Sequence, residues 1–194
     1  NIVAEVYDKR LNGELLETGG GTAEWQNGYQ NLRNVNYFFE YYKVPEAEET
    51  KDVLSLKGEA YFFRAYWHFY LLTRFGSIPV MDKFWDGNAT VAGLQIPPRD
   101  RSAVAQFIID DLKTAKNLLY SRSQYKGLRI CKEAAIIMAM RVALYEGTWE
   151  KYHKGTDFAA AEDKSTDLLG QVLTLGDELF AMGPVSYTHL TLPT

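Results

Sequence analysis

Phe84, Trp85, Asp86, Gly87 and Asn88 bring together, in five consecutive residues, the groups that hold a sugar. An aromatic ring stacks on the C–H face of a pyranose, and a neighbouring carboxylate and amide satisfy its hydroxyls. The segment lies in a stretch without helical period, residues 77–100, which also contains Pro79, Gly93, Pro97 and Pro98. Loops of that length in compact domains are often functional. Phe84, Trp85, Asp86 and Asn88 are therefore candidate ligand contacts; the competing reading has the two rings pin the loop to the helices. Glu24, Trp25, Gln26 and Asn27 repeat the chemistry ahead of a helix start. Trp25 is thus a further candidate contact, with packing as its alternative role.

Other chemistry is not supported. His68, His153 and His189 are scattered, and none pairs with acids at metal-ligand spacing. Asp110 and Asp111 leave a helix about 100° apart and cannot flank one scissile bond; a solvated helix face accounts for them. Gly19, Gly20 and Gly21 lack the preceding strand and following Lys of a phosphate-cradling loop, and read as a flexible break. Cys131 is the only cysteine, which excludes an internal disulfide framework; it reads as a half-buried thiol. No catalytic residue, metal or cofactor is expected. With a net charge of −4 and no Lys/Arg block, a nucleic-acid partner is not expected either. No apolar run reaches the ~20 residues that span a bilayer. The chain opens on Asn1, Ile2 and Val3 without a leader, and is expected to be incomplete there.

The elements that must position these residues are helical. Hydrophobic residues make up 46% and charged residues 24%, the balance of a folded domain, and strand-type alternation is scarce. A first helix is expected over 1–17. Tyr29, Leu32, Asn36, Phe39 and Tyr42 recur at three- and four-residue steps and predict a second over 24–43, ended at Pro45. The strongest pattern runs over 53–75. It is apolar around most of its circumference, so its rings (residues 61–70) should be core and the helix buried between several partners. Arg64 within it needs a partner. Glu59, five residues away, is poorly placed, so a carboxylate or carbonyl on a neighbouring helix is expected. Gly76 should stop this helix, and Pro79 follows where no helix continues.

Ser102 is the expected N-cap of a helix over 102–120. A basic connection, 121–130, leads to a helix over 131–150, where Ala135, Ala139 and Ala143 form a ridge for close approach and Gly147 with the cluster Trp149–Tyr152 marks the end. A last helix is expected over 157–175, with Phe158, Ala161, Leu168, Leu169 and Val172 inward, and with Gly176, then Gly183 and Pro184, closing the helical region. Paired as 24–43 with 53–75 and 102–120 with 131–150, and with 157–175 opening a third pair, the chain reads as all-α, stacked antiparallel hairpins of tetratricopeptide type. Residues 1–184 would form one helical domain. Residues 185–194 share no pattern with it, resemble a read-through tail, and are expected to be non-native.

Several of these segments resemble the SusD/RagB family. Gly58, Glu59, Ala60, then Phe62, Phe63, Arg64, Ala65 and Phe69, ending in Gly76 and Pro79, are similar to that family's helix and turn. Trp25, Tyr29, Leu32 and Asn36 resemble the preceding helix. Ile109 to Ala115, and Lys132 to Ala135 with Arg141 to Tyr145, resemble its second hairpin. Glu59, Arg64, Ala65, Phe69, Gly76 and Pro79 are then structural motif residues.

The resemblance covers 24–183 and implies less than half of a typical member. It implies a non-catalytic lipoprotein, exposed on the outer membrane through a lipid anchor outside this sequence. Such a protein binds oligosaccharides or other nutrients and delivers them to a SusC-like TonB-dependent transporter. Phe84 and Trp85 could then meet that transporter instead of cargo. Periodicity alone leaves open an intracellular helical-repeat scaffold, and an enzyme would require carboxylates that nothing here singles out.

Overall fold

In the computed structural model the described residues are 23–85, 96–125 and 128–183. They form helices α1 (Ala23–Tyr41), α2 (Lys51–Phe75), α3 (Arg101–Leu118), α4 (Arg122–Tyr125), α5 (Lys132–His153) and α6 (Ser165–Ala181), with a 3-10 turn (Glu46–Glu48) after α1. The architecture is all-α: α1 packs on α2, α2 on α3, α3 on α5 and α5 on α6. The hairpins α1 with α2 and α3 with α5 stack, and α6 opens the next layer. The expected helix over 1–17 and the tail over 185–194 fall outside the described residues.

The hairpins meet through side chains of graded size. Ala135, Ala139 and Ala143 are at most 1% exposed and let α5 lie close to α3. Leu32, Leu71, Leu72, Ile108, Ile109 and Leu112 fill the space between layers. Helix α5 runs through the cluster Trp149–Tyr152 to His153, so Gly147 lies inside it. A Cβ there would stand 3.0 Å from Leu169 and 3.2 Å from Leu168, so its missing side chain is what lets α6 approach.

Helix boundaries follow local chemistry. Thr50 caps α2, its side chain accepting from Val53 N. Gly76 ends α2 with φ +71°, a conformation that suits glycine. The N-cap of α3 is Asp100 rather than Ser102: its carboxylate accepts from Ser102 N, while Ser102 is 2% exposed and donates to Glu150. Cys131 is buried rather than half-buried, and burial pushes its thiol pKa up.

The last helix starts later than its periodicity suggests. Asp163 accepts from both Ser165 N and Ser165 Oγ, fixing the start of α6 at Ser165. Phe158 therefore lies outside the helix at 68% exposed, and Gly176 lies inside it, buried.

Helix α2 is not enclosed on all sides. Phe62, Ala65, Leu71 and Leu72 are in the core, and Tyr61, Trp67, Phe69 and Tyr70 pack against it. Phe63 and Tyr66, each 41% exposed, face out. The helix has partners along α1 and α3, and Phe69 makes an edge contact with Tyr145 of α5 at 5.6 Å.

Two buried arginines tie the layers. Arg64 Nε and Nη2 each donate to Asp111 of α3 at 2.7 Å, a bidentate pair. Asp111 is thus 5% exposed and no part of a solvated face; only Asp110 is exposed. Burial raises the Asp111 carboxyl pKa, and Arg64 pulls against that rise. The guanidinium lies 4.8 Å from the Phe39 ring, 5.1 Å from Tyr61 and 5.3 Å from Phe107. Arg101 likewise makes a bidentate pair with Glu146 of α5, with Trp149 over its guanidinium at 3.9 Å. Glu59 pairs with neither; it receives two hydrogen bonds from Arg129.

After Gly76 the chain crosses the α1/α2 hairpin as an extended strap. Ile78 and Val80 point into the core, at 0% and 2% exposed. Four side chains hold the strap's backbone. Tyr29 OH donates to Pro79 O (2.9 Å), Asn36 Nδ2 to Met81 O (2.9 Å) and Arg64 Nη1 to Asp82 O (3.0 Å). Met81 N donates to His68 Nε2 (3.0 Å). Because that nitrogen must accept, His68 is neutral with its proton on Nδ1, which donates to Arg64 O at 2.8 Å. Burial lowers the His68 pKa to about 4. An antiparallel bridge from Ile78 to Arg99, with Arg99 N donating to Ile78 O at 2.9 Å, closes the far end of the loop.

Removing one member of the Arg64 and Asp111 pair should leave the other charged and buried. Arg64→Met and Asp111→Leu are each expected to lose about 3–5 kcal/mol of stability, and the double variant much less than their sum; a double-mutant cycle by urea unfolding measures this. His68 adds a pH signature. Its folded pKa lies below the ordinary 6.5, so its contribution is complete above about 6.5 and declines as pH falls toward 4, the unfolded state taking the proton first. Unfolding midpoints between pH 7 and 4.5 should fall less steeply in His68→Gln than in the unsubstituted protein.

Candidate ligand-binding site

The strap delivers Phe84 to the outer side of α1. Its ring meets Tyr37 edge-on at 5.4 Å and Tyr41 at 6.1 Å, and the Arg33 guanidinium stands 5.0 Å from it. Arg33, Tyr37 and Tyr41 are spaced four residues apart, so one stripe of α1 presents all three. Tyr37 and Tyr41 are themselves 4.3 Å apart, and are 50% and 58% exposed. The result is an open cluster of three rings bordered by a guanidinium. Trp85 follows, half-buried, with Lys83 Nζ 5.0 Å from its ring. Its indole Nε1 is buried and has no hydrogen-bond partner among the described residues. Asp86 and Asn88 lie outside the described residues.

Trp25 belongs to a different place. It sits in the first turn of α1, 4.7 Å from Tyr29 and 5.0 Å from Phe75. With Tyr29, Pro79, Met81 and Ile96 it lines a small cavity of about 220 Å³. The Tyr29 hydroxyl pKa there is pushed well up by burial. Twelve residues of helix separate Trp25 from Tyr37, about 18 Å. Trp25 and Phe84 therefore do not converge on one ligand ring; the strap links them.

Tyr37 and Tyr41 are the members of the ring cluster that the apolar pattern of α1 hides. They fall off the buried line of Leu32 and Asn36, so periodicity assigns them to solvent. The available signal was two exposed tyrosines four residues apart on a helix followed by an aromatic loop. Chemically the cluster can stack against a flat apolar face and donate hydrogen bonds from Arg33 and the tyrosine hydroxyls. No group of three or more His, Cys, Asp or Glu able to hold a metal occurs among the described residues, and no described helix is long and apolar enough to cross a membrane.

Comparison with known proteins gives this arrangement a family. No curated protein matches the sequence. Solved structures do match the fold. A SusD-like protein from Bacteroides fragilis superposes with a TM-score of 0.62 at 24% identity, covering 82% of this chain and 27% of its own. A laminarin-binding SusD-like protein gives 0.59 at 20%, covering 84% and 32%. A SusD-like carbohydrate-binding protein from Bacteroides vulgatus gives 0.58 at 18%, covering 86% and 32%. The chain thus spans about a third or less of the length of these relatives. A SusD-like family model, described as starch-binding and associating with the outer membrane, matches residues 5–144. With that match over most of its length, and the hairpin stack beneath it, the chain belongs to the SusD-like family.

Proposed function

We propose that this chain is the helical part of a surface-exposed outer-membrane lipoprotein that captures oligosaccharides and passes them to a SusC-like TonB-dependent transporter. The observation that carries the reading is the ring cluster of Phe84, Tyr37 and Tyr41 beside Arg33, presented by a clamped strap on a chain of this family. Stacking on these rings, with glycan hydroxyls accepting from Arg33 and bonding to the Asp86 carboxylate and the Asn88 amide, would hold a glycan on a largely pre-formed surface. Trp25 would line the adjacent cavity rather than the same sugar ring. The work is binding and transfer, without bond chemistry. An intracellular helical-repeat scaffold would use the same hairpins; the match to an outer-membrane-associated family favours uptake.

Calorimetric titration of the full-length protein with starch, laminarin and other soluble glycans is the test. At least one glycan should bind, and Phe84→Ala or Trp85→Ala should weaken it about tenfold, the loss of one stacked ring at about 1.4 kcal/mol. Binding to none of the panel, or affinity indifferent to both substitutions, would sink the reading.

A further inference from the structure

A groove of about 500 Å³ opens on the other side of the α1 terminus, between the 3-10 turn, the first half of α2 and the last half of α3. Its size is within the ~300–1,000 Å³ usual for small-molecule sites. Leu54 and Leu118 supply an apolar floor and Tyr61 a ring. That ring is fixed from behind by Phe39 at 4.7 Å and by the Arg64 guanidinium at 5.1 Å.

The polar groups of the groove are built in advance. The Glu49 side chain is only 10% exposed. Both of its hydrogen bonds, from Tyr42 OH at 2.7 Å and Lys57 Nζ at 3.0 Å, fall on Oε1. These donors hold its carboxyl pKa below the usual range. Oε2 receives no hydrogen bond from the described residues and remains an ionised, oriented acceptor. Lys57 Nζ stands 5.1 Å from the Tyr42 ring and keeps two further N–H donors. Thr114 Oγ1 donates to Asp110 O, which leaves its lone pairs for an incoming donor.

We propose that this groove is a second glycan subsite, taking one neutral hexopyranose unit. The ring's C–H face would lie on Tyr61 and the leucine floor. One hydroxyl would donate to Glu49 Oε2 and another accept from Lys57. The chemistry excludes other classes. An anion would meet Glu46 and Glu49 with a single, already paired ammonium to receive it. A cation would meet Lys57. An apolar guest would strand Glu49 Oε2 and the free Lys57 donors, which costs more than the contact returns. Tyr41, in the ring cluster, and Tyr42, which orients Glu49, are consecutive residues, so the two subsites flank one end of α1. The inference rests on the glycan-uptake reading but concerns a separate surface.

Hydrogen–deuterium exchange of the full-length protein, with and without malto- and laminari-oligosaccharides, separates the two. Peptides within 46–61 should gain protection, and should do so still in Trp85→Ala. Glu49→Gln and Lys57→Met should raise the glycan concentration for half-protection of 46–61 about tenfold, leaving protection of 79–85 within twofold. Protection of 79–85 alone would overturn the groove and leave the uptake reading standing. Protection of neither segment would overturn both.

Discussion

The structure depends on where one guanidinium finds its counter-charge. Arg64 touches both neighbours of α2 and the strap at once: Asp111 on α3, the Phe39 ring on α1, and the Asp82 carbonyl. A buried arginine is tolerated only when its donors are matched, and the planar fork matches a carboxylate only in one orientation. That requirement fixes how α3 sits against α2, and the third donor fixes where the chain leaves the hairpin. His68, one turn further on, accepts from Met81 N, the residue just before Asp82 in the same strap. Ordinary apolar packing would hold the helices together without setting this register.

From that constraint the ring cluster follows. The strap carries Phe84 to the stripe of α1 that shows Arg33, Tyr37 and Tyr41, so the exposed rings belong to two segments far apart in sequence. The same guanidinium backs Tyr61 on the opposite side. One buried charge thus stiffens the walls of two surfaces, and a rigid wall loses little side-chain freedom when a ligand settles on it.

What the sequence made legible was what depends on period and on single residues. The pairing of 24–43 with 53–75, the stop at Gly76, the alanine ridge and the need of Arg64 for a carboxylate on another helix were all readable. Which carboxylate was not. Asp111 looks solvated beside Asp110 because only the packing angle of α3 decides which of two adjacent acids turns inward. The start of α6 was misplaced because Asp163 caps it from outside the apolar pattern, and Phe158 carries the right residue type in a segment that is not helical. Tyr37 and Tyr41 escaped notice because their significance lies in what the strap brings to them. Glu49 escaped for the same reason, since its orientation comes from Tyr42, just past α1, and Lys57 on α2.

The bridge between Ile78 and Arg99 anchors both ends of the long connection to the same spot on the scaffold. Chain closure is then already satisfied by the framework, and lengthening the intervening stretch is cheap, about 0.6 kcal/mol for a doubling. The frame therefore tolerates changes of length between its two anchored ends while the helices beneath keep their packing.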